Sequence, residues 1–591
     1  MQNPKETYTS FLETYTTQLN QIKSSLLVSS MIRLGLFLAG AAGIYFLWSN
    51  TQAVMGIVVV EIILFLVLVS RHSDLQYKRD FLQQLIQLNE TELEVLNRNF
   101  HNLPDGENYK NPLHPFSLDI DLFGRGSFFQ YMNRSSLETG EQKLAQLLTA
   151  NDIDTIPQKQ EAIRDLAEKV EWRQKYQTTA ALVKTDNSAE AIIRWLQTYT
   201  GFVPKIMKWI PNAFSVVSLV LFVLVYFDFI AGSFLMWWFF AGLFISGAFV
   251  KKVNSLWENS SKTQSTFEQY YKLMLLLEEQ EFSSILLKEE QAKIKSQKAK
   301  ASAVIKQFSK MLGVLDQRSN MFVGVFINSF FLSDLRQCYR IEKWIAANAD
   351  EVANWFEVIA FFDAQNSLAN FSFNHPNYAF AKITSGSHTL KAEGLAHPLL
   401  DPKKAVANDF NIDNEQFFII TGANMAGKST FLRTVSLSVV MSNVGLPICA
   451  KEAAYTPIKL ITSMRTSDSL TDDKSYFFSE LKRLQFIVNA IKTDTYFIIL
   501  DEILKGTNST DKAIGSRKFI EKLVASHSTG IIATHDLSLC EAANDLEQVK
   551  NYYFDAQIKD DELYFDYTFK KGICQNMNAS FLLRKMNIID S

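Results

Sequence analysis

Lys428 and Ser429 close the segment Gly422-Ala423-Asn424-Met425-Ala426-Gly427-Lys428-Ser429, and Thr430 follows. Glycines let successive backbone N–H groups curl around an anion. The lysine supplies charge for the β and γ oxygens of a nucleotide, and the serine hydroxyl is a ligand for Mg²⁺. The apolar run 417–420 in front reads as a buried strand, and 430–440 behind reads as a helix whose N-terminus adds positive potential at the same point. Gly422 to Thr430 is therefore the expected nucleotide loop, with Lys428 acting in both binding and catalysis. A second apolar run, 496–500, ends in Asp501-Glu502. Asp501 is expected to hold Mg²⁺ together with Ser429, and Glu502 to polarise the attacking water. Phosphoryl transfer depends mostly on positioning and charge neutralisation, so one metal, one lysine and one carboxylate are a working minimum. A third run, 530–534, leads to His535, whose neutral imidazole is placed to read a γ-phosphate. Chance glycine loops, solvated acid pairs and structural histidines are each common alone. Their occurrence behind three successive strands in one chain favours an ATP hydrolase using ATP and Mg²⁺.

These residues resemble a known family. The stretch 421–430, then Asp501-Glu502-Ile503-Leu504-Lys505-Gly506-Thr507-Asn508-Ser509-Thr510-Asp511, then Ala533-Thr534-His535, is similar to the nucleotide site of the MutS mismatch-repair ATPases. Ser475-Tyr476-Phe477-Phe478-Ser479-Glu480 resembles that family's serine–aromatic–acid signature. The resemblance implies that Ser475 reaches the nucleotide of an opposing subunit, so that the site is composite and the protein a homodimer through its ATPase domains. It also implies a role for the Asn424 amide near the γ-phosphate. His397-Pro398-Leu399-Leu400 and Asn408-Asp409 resemble the entry into the ATPase domain. Upstream, Arg134-Ser135-Ser136-Leu137-Glu138-Thr139-Gly140, then 144–148 and 160–166, resemble the start of the family's helical core, and 362–369 the helix that closes it. DNA is a partner implied by the resemblance alone. Two departures stand out. The approach to the signature serine reads Asp472-Asp473-Lys474 where the family has a glycine-containing stretch. The first helical match begins near residue 113, which leaves no room before it for the mismatch-reading domain. Phe11-Leu12-Glu13 echoes that domain's reader only in a short polar segment.

The elements that must position this engine include four apolar runs, 31–48, 53–70, 213–230 and 233–250. Each is about 18 residues, or roughly 27 Å of helix, against roughly 30 Å for a bilayer core. They form two hairpins with short links, 49–52 and 231–232. Arg33, Arg71, Lys78 and Arg79 flank the first; Lys205, Lys208, Lys251 and Lys252 flank the second; the links carry no Lys or Arg. The positive-inside rule then predicts a multi-pass membrane protein with its ATPase and helical domains in the cytoplasm and the lipid bilayer as a partner. Trp48, Trp209, Trp237 and Trp238 are candidates for the interface, and Glu61 is expected to face another helix, to pair, or to be protonated. The competing reading is two buried hairpins in a soluble core. A soluble helix carries a polar stripe, which these runs lack.

The 591 residues exceed one domain, and 47% are hydrophobic, with 46 Phe. A net charge of −3 gives no global field for nucleic acid, and four dispersed cysteines read as reduced thiols. The predicted fold is multidomain: an α-helical core and lever region with two transmembrane hairpins, and a C-terminal α/β phosphate-loop ATPase domain of ABC-like type. The predicted divisions are a cytoplasmic helix at 1–30, hairpins at 31–72 and 205–252, helical core at 73–204, lever and core at 253–372, and the ATPase at 373–591. Between the hairpins helix dominates, with a break at 103–115. Residues 254–315 read as one long amphipathic helical stretch with a stripe of Phe267, Tyr271, Leu275, Phe282, Ile285 and Leu286. The charged run 288–300 is either a lever tip or a solvated face, and 576–580 precedes a short dimer-facing final helix implied by the resemblance. Three functions follow as expectations: a membrane-anchored MutS-like ATPase coupled to DNA, an ATP-driven membrane machine or scaffold without DNA, and an ABC-type transporter. The short interval from Lys428 to Asp501 and the absence of a Leu-Ser-Gly-Gly signature argue against the third.

Overall fold

The structure is a computed structural model and describes residues 3–182, 188–295, 300–316, 321–465, 476–559 and 562–575. A helical region precedes a C-terminal α/β domain.

Two long helices open the chain, α1 (Pro4–Phe46) and α2 (Thr51–Leu96). Asn3 caps α1 and Asn50 caps α2 through side-chain bonds to the amides of Lys5 and Ala53. α1 runs unbroken across the expected division at residue 30. Nothing in 1–48 breaks a helix after Pro4, so the polar and apolar parts are one rod. Little protein covers the apolar parts: 6% of the most apolar window of α1 and none of that of α2 is buried. These two helices are long and apolar enough to cross a membrane, and a bent pair described below makes up to three. Glu61 lies against Gly40, where an added Cβ would sit 1.9 Å from its carboxylate. That glycine is what lets the acid pack inside the hairpin.

Short helices α3 (Phe128–Met132), α4 (Glu138–Thr149), α5 (Ile156–Glu168), α6 (Val170–Ala181) and α7 (Ala189–Thr198) follow an irregular stretch that includes the expected break. The second apolar pair is α8 (Ile210–Tyr226) and α9 (Ser233–Gly247); α8 ends before the close of its run, where Asp228 adopts a left-handed φ of 57°, and α9 ends at the bend into the next helix. Next come α10 (Val250–Glu279), bent by 63° from α9, then α11 (Ile285–Ala292), α12 (Ala301–Asp316), α13 (Met321–Phe331) and α14 (Ser333–Asn374). Residues 254–315 are thus not one helical stretch. The Asp165 carboxylate takes the N–H groups of Ser283 and Ser284 at 2.6 and 3.0 Å, and the Gln291 amide bonds back to the Gln280 carbonyl at 2.7 Å. The chain turns there, and α12 packs back along α10. The buried stripe is correspondingly rotated: Phe267, Tyr270, Leu273, Met274, Leu277 and Phe282 are inside, while Leu275 and Ile285 are exposed. The run 288–300 supplies α11 and the start of the return, with 296–299 outside the described residues.

One apolar helix went unread in the sequence. α13 packs on α8 and α9, so the second pair is a cluster of three. A Cβ on Gly242 would come within 2.0 Å of the Ser329 carbonyl oxygen, and Ser218 donates to the Phe330 carbonyl at 2.5 Å. Trp238 faces this cluster rather than the outside, stacking on Phe214 and donating to Ser218 Oγ at 2.8 Å. Trp48, Trp209 and Trp237 are exposed.

The segments that resemble the two ends of a helical core meet. Asp363 on α14 accepts the N–H groups of Ser136 and Leu137 at 3.0 and 2.9 Å, and Ser367 accepts that of Arg134. A buried polar junction lies one to two turns further along α14. Tyr8 of α1 donates to Asn374, Arg173 of α6 to Asn370, and Glu92 of α2 pairs with Arg134 at 2.5 Å. The base of the first hairpin is thereby fixed to α14, which runs on to the α/β domain.

That domain contains a four-stranded sheet, order β1-β5-β2-β3, of β1 (Lys382–Ile383), β2 (His388–Leu395), β3 (Asn408–Asp413) and β5 (Glu452–Tyr455). The main sheet uses β4 (Phe417–Gly422), β6 (Lys459–Ser463), β7 (Tyr496–Asp501), β8 (Thr529–Ala533), β9 (Val549–Phe554) and β12 (Lys570–Lys571), in the order β12-β9-β4-β8-β7-β6. A hairpin of β10 (Ala556–Lys559) and β11 (Glu562–Phe565) stands apart. Strands β4, β6, β7, β8 and β9 are parallel, and β4, β6, β7 and β8 are apolar and buried at their centres, as a sheet covered on both faces requires. The covering helices include α15 (Lys428–Val444), α16 (Tyr476–Ala490) and α17 (Ser509–Ala525), with the short α18 (Ala542–Asp545) near the end. None of the four cysteines forms a disulfide.

Candidate functional site

Parallel strands deliver their C-terminal ends to one edge, and ligands of such sheets sit there. The register makes this concrete: Ile420 of β4 and Asp501 of β7 both pair with Ala533 of the intervening β8. Gly422, Asp501 and the Thr534-His535 step therefore emerge side by side, although far apart in sequence.

The loop between β4 and α15 needs its glycines. Gly422 has φ 151°, and a Cβ there would meet the Phe554 carbonyl at 2.6 Å; Gly427 has φ 104° immediately before the first turn of α15. Met425 also takes a left-handed φ of 67° and is highly exposed at the loop tip. Ala426 is buried beneath it, Asn424 and Thr430 are exposed, and Ala423 is half-buried. Lys428 is buried, and its Nζ donates to the carbonyls of Gly422 at 2.7 Å and Ala423 at 3.0 Å. It also lies 3.3 Å from His535 Nε2. Burial pushes the Lys428 ammonium below its ordinary pKa, with Asp501 and Glu502 acting against that. Burial and the Lys428 charge push His535 down as well, which keeps its imidazole neutral at pH 7.

Ser429 Oγ donates to Asp501 Oδ2 at 2.6 Å. Two hard oxygen donors thus adjoin in the cleft, a donor set suited to a hard cation such as Mg²⁺. Among the described residues no group of three or more His, Cys, Asp or Glu gathers elsewhere as a metal site. Glu502 has a left-handed φ of 54°, held by its N–H bond to the Ala533 carbonyl at 2.8 Å. Its carboxylate is bound by Lys512 Nζ at 2.8 Å, with Lys505 Nζ 3.9 Å away. Burial raises the Glu502 pKa, but the Lys512 bond and charge, with Lys505 and His535, outweigh it and leave the carboxyl below its usual range. Lys512 was not picked out from sequence. It lies one residue beyond the quoted motif, and only the first turn of α17 brings it back to Glu502.

The residues enclose a cleft of about 580 Å³. Its far wall is lined by His397, within the expected entry to the domain, and by residues 404–406 and Tyr567, which the sequence did not point to. Asn408 ties that wall together, donating to the Tyr567 carbonyl at 3.0 Å and accepting the Phe569 N–H at 2.7 Å. Arg98, just past α2, donates to the Pro398 carbonyl at 2.6 Å, so the first hairpin's base touches the segment behind the cleft. Ser475, Asp472, Asp473, Lys474 and 576–580 lie outside the described residues.

The geometry can be set beside known proteins. Residues 418–585 match the family model for MutS domain V. Residues 418–585 are thus a MutS domain V, and through that domain the chain is similar to the MutS family. Its MutS domain is 33% identical over 234 residues to "DNA mismatch repair protein MutS" of Methanococcoides burtonii, covering 38% of this chain and 26% of that protein. It is 29% identical over 240 residues to "DNA mismatch repair protein MutS 2" of Halobacterium salinarum, 40% of this chain and 28% of the relative. It is 29% identical over 241 residues to "DNA mismatch repair protein MSH4" of Arabidopsis thaliana, 39% and 30% of the two chains. The match thus spans between a quarter and a third of each relative.

Proposed function

We propose that this chain is a membrane-anchored MutS-like ATPase that binds and hydrolyses ATP with Mg²⁺ at a site completed by a second copy. The observation carrying the ATPase half is the meeting of Lys428, Ser429, Asp501, Glu502 and His535 at three adjacent strand ends. The loop N–H groups from Gly422 to Thr430 receive the phosphates. Lys428 exchanges its two carbonyl partners for β and γ oxygens, a swap that costs little because both sets are acceptors. Ser429 and Asp501 hold Mg²⁺, which supplies charge neutralisation on the phosphates. Glu502 leaves Lys512 to accept a proton from water, and neutral His535 donates to the γ-phosphate. Ser475 of the opposing copy is assigned to the same nucleotide.

The membrane half is supported by long apolar helices that the fold leaves uncovered. Buried in a soluble core they would be packed on all sides. The ATPase and helical regions then lie in the cytoplasm, on the side of the flanking lysines and arginines. The relatives are DNA mismatch repair proteins by name, and we extend that to DNA engagement by the helical region. The second reading, a membrane machine without DNA, is favoured by the net charge of −3 and the large share of chain given to apolar helices.

Purification from membranes and ATPase assays with and without duplex, mismatched and branched DNA test all three parts. Release of the chain from membranes without detergent refutes the anchor. Lack of magnesium-dependent hydrolysis refutes the engine. Lack of DNA binding at low salt, where phosphate contacts are strongest, decides for the second reading.

A further inference from the structure

The antiparallel pair α8 and α9 brings the start of one to the end of the other. Just before α8, a single turn over Lys205–Lys208 leaves both lysines exposed, together with Ile206 at 60% and Trp209 at 67%. Lys208 Nζ lies 4.9 Å from the Trp209 ring centroid. Just after α9, Lys251 and Lys252 are exposed in the first turn of α10. Lys252 Nζ lies 5.9 Å from the Phe202 ring, which ties this second pair of lysines to the segment that carries the first. Arg340, also exposed, follows one turn after Arg336 on α14. Arg336 itself is occupied by the carbonyls of Pro211 and Phe331 and by Ser215.

The Glu342 carboxylate at this end is already engaged. Glu342 accepts the Tyr199 hydroxyl and the N–H groups of Phe202 and Val203. Among the described residues none of the four lysines has an ion-pair partner. At the first hairpin Arg79 pairs with Asp80 at 2.6 Å, and among the described residues that hairpin carries no exposed lysine pair beside an exposed indole like that of Lys208 and Trp209. A chain of net charge −3 therefore concentrates unpaired ammonium groups beside an exposed indole and isoleucine, on the border of an apolar surface.

We propose that the base of the second apolar pair is a binding surface for anionic lipid headgroups. The inference rests on the membrane reading above. Trp209 and Ile206 enter the boundary between headgroup and acyl chain, and Lys205, Lys208, Lys251 and Lys252 meet lipid phosphates. A nucleic acid or acidic protein would satisfy the charges but not the exposed indole and isoleucine. The continuous apolar faces of α8 and α9 would also hold either against hydrocarbon.

The test uses the full chain reconstituted in vesicles of phosphatidylcholine mixed with phosphatidylglycerol, with one lipid at a time brominated on its acyl chains. Subtracting the fluorescence of Trp209→Phe isolates Trp209. Each lysine near an anionic surface is worth roughly fivefold in partition. Brominated phosphatidylglycerol should therefore quench Trp209 at least about threefold more than brominated phosphatidylcholine at equal mole fraction. Exchange of Lys205, Lys208, Lys251 and Lys252 for Gln should equalise the two lipids while Trp209 stays quenched. Equal quenching by both lipids in the natural chain, or a preference surviving the four substitutions, overturns the inference and leaves the membrane reading intact. Quenching of no tryptophan by either lipid overturns both.

Discussion

Asp363 offers the sharpest quantitative test of how the helical core is held. Its carboxylate is fully buried on α14 and accepts two N–H groups, from Ser136 and Leu137, ahead of α4. Burial raises its pKa from 3.8 to about 7, against those two hydrogen bonds, and Glu141 adds to the rise. The folded state therefore favours the protonated form more than the unfolded chain does. The sign follows: stability is complete below pH 4 and falls as pH rises toward 7, because ionisation costs more in the fold. The gap of about three pH units, at about 1.4 kcal/mol each, is about 4 kcal/mol in all. Roughly half of it, about 2 kcal/mol, falls between pH 5.5 and 8. In Asp363→Asn the amide oxygen can accept the same two N–H groups, and no charge is left to bury. Thermal unfolding of the natural chain and the variant, followed in detergent at both pH values, reads the difference. The variant should gain on the natural chain as pH rises, by about 2 kcal/mol or a few degrees in Tm. A separation between the two melting points that does not change with pH refutes the buried ionisable carboxylate.

The remaining predictions concern the site and the apolar cluster. Lys428→Ala should abolish binding of a fluorescent ATP analogue. Glu502→Gln should keep that binding and lose about 10²–10⁴-fold in phosphate release, the usual worth of a general base; unimpaired hydrolysis removes Glu502 from the mechanism. Lys512→Met removes the partner that holds the Glu502 carboxyl low. The acid limb of the kcat–pH profile should then move to higher pH, with activity lost first on the acidic side. An unmoved limb refutes the pairing. Gly242→Val should destabilise the packing of α9 on α13 by about 1–3 kcal/mol, since its Cβ would strike the Ser329 backbone. Gly247→Val, with open space around it, is the control, and equal melting points for the two variants would refute that packing.

Much of the candidate site was legible because its parts are local. Residues 422–430 carry in one stretch the glycines, the lysine and the hydroxyl that the turn and its ligand need. The strands ending at Asp501 and His535 announce themselves as short apolar runs. The register joining those ends at Ala533 is a property of the sheet, but parallel strands leave few alternatives. The apolar runs were legible for a similar reason: a stretch without a polar stripe has one composition whatever it packs against.

What sequence did not disclose lies in contacts between distant segments or in breaks caused by them. The chain turns after α10 because Asp165, more than a hundred residues earlier, takes the amides of Ser283 and Ser284. α13 joins α8 and α9 because Gly242 admits the Ser329 backbone, a steric fit no run of hydropathy encodes. Lys512 meets Glu502 only once the first turn of α17 has formed, and Arg98 reaches Pro398 only once α2 is seated. Residue type and local spacing decided the chemistry available to this chain; the close packing of remote side chains decided which groups share a charge, a carbonyl or a wall.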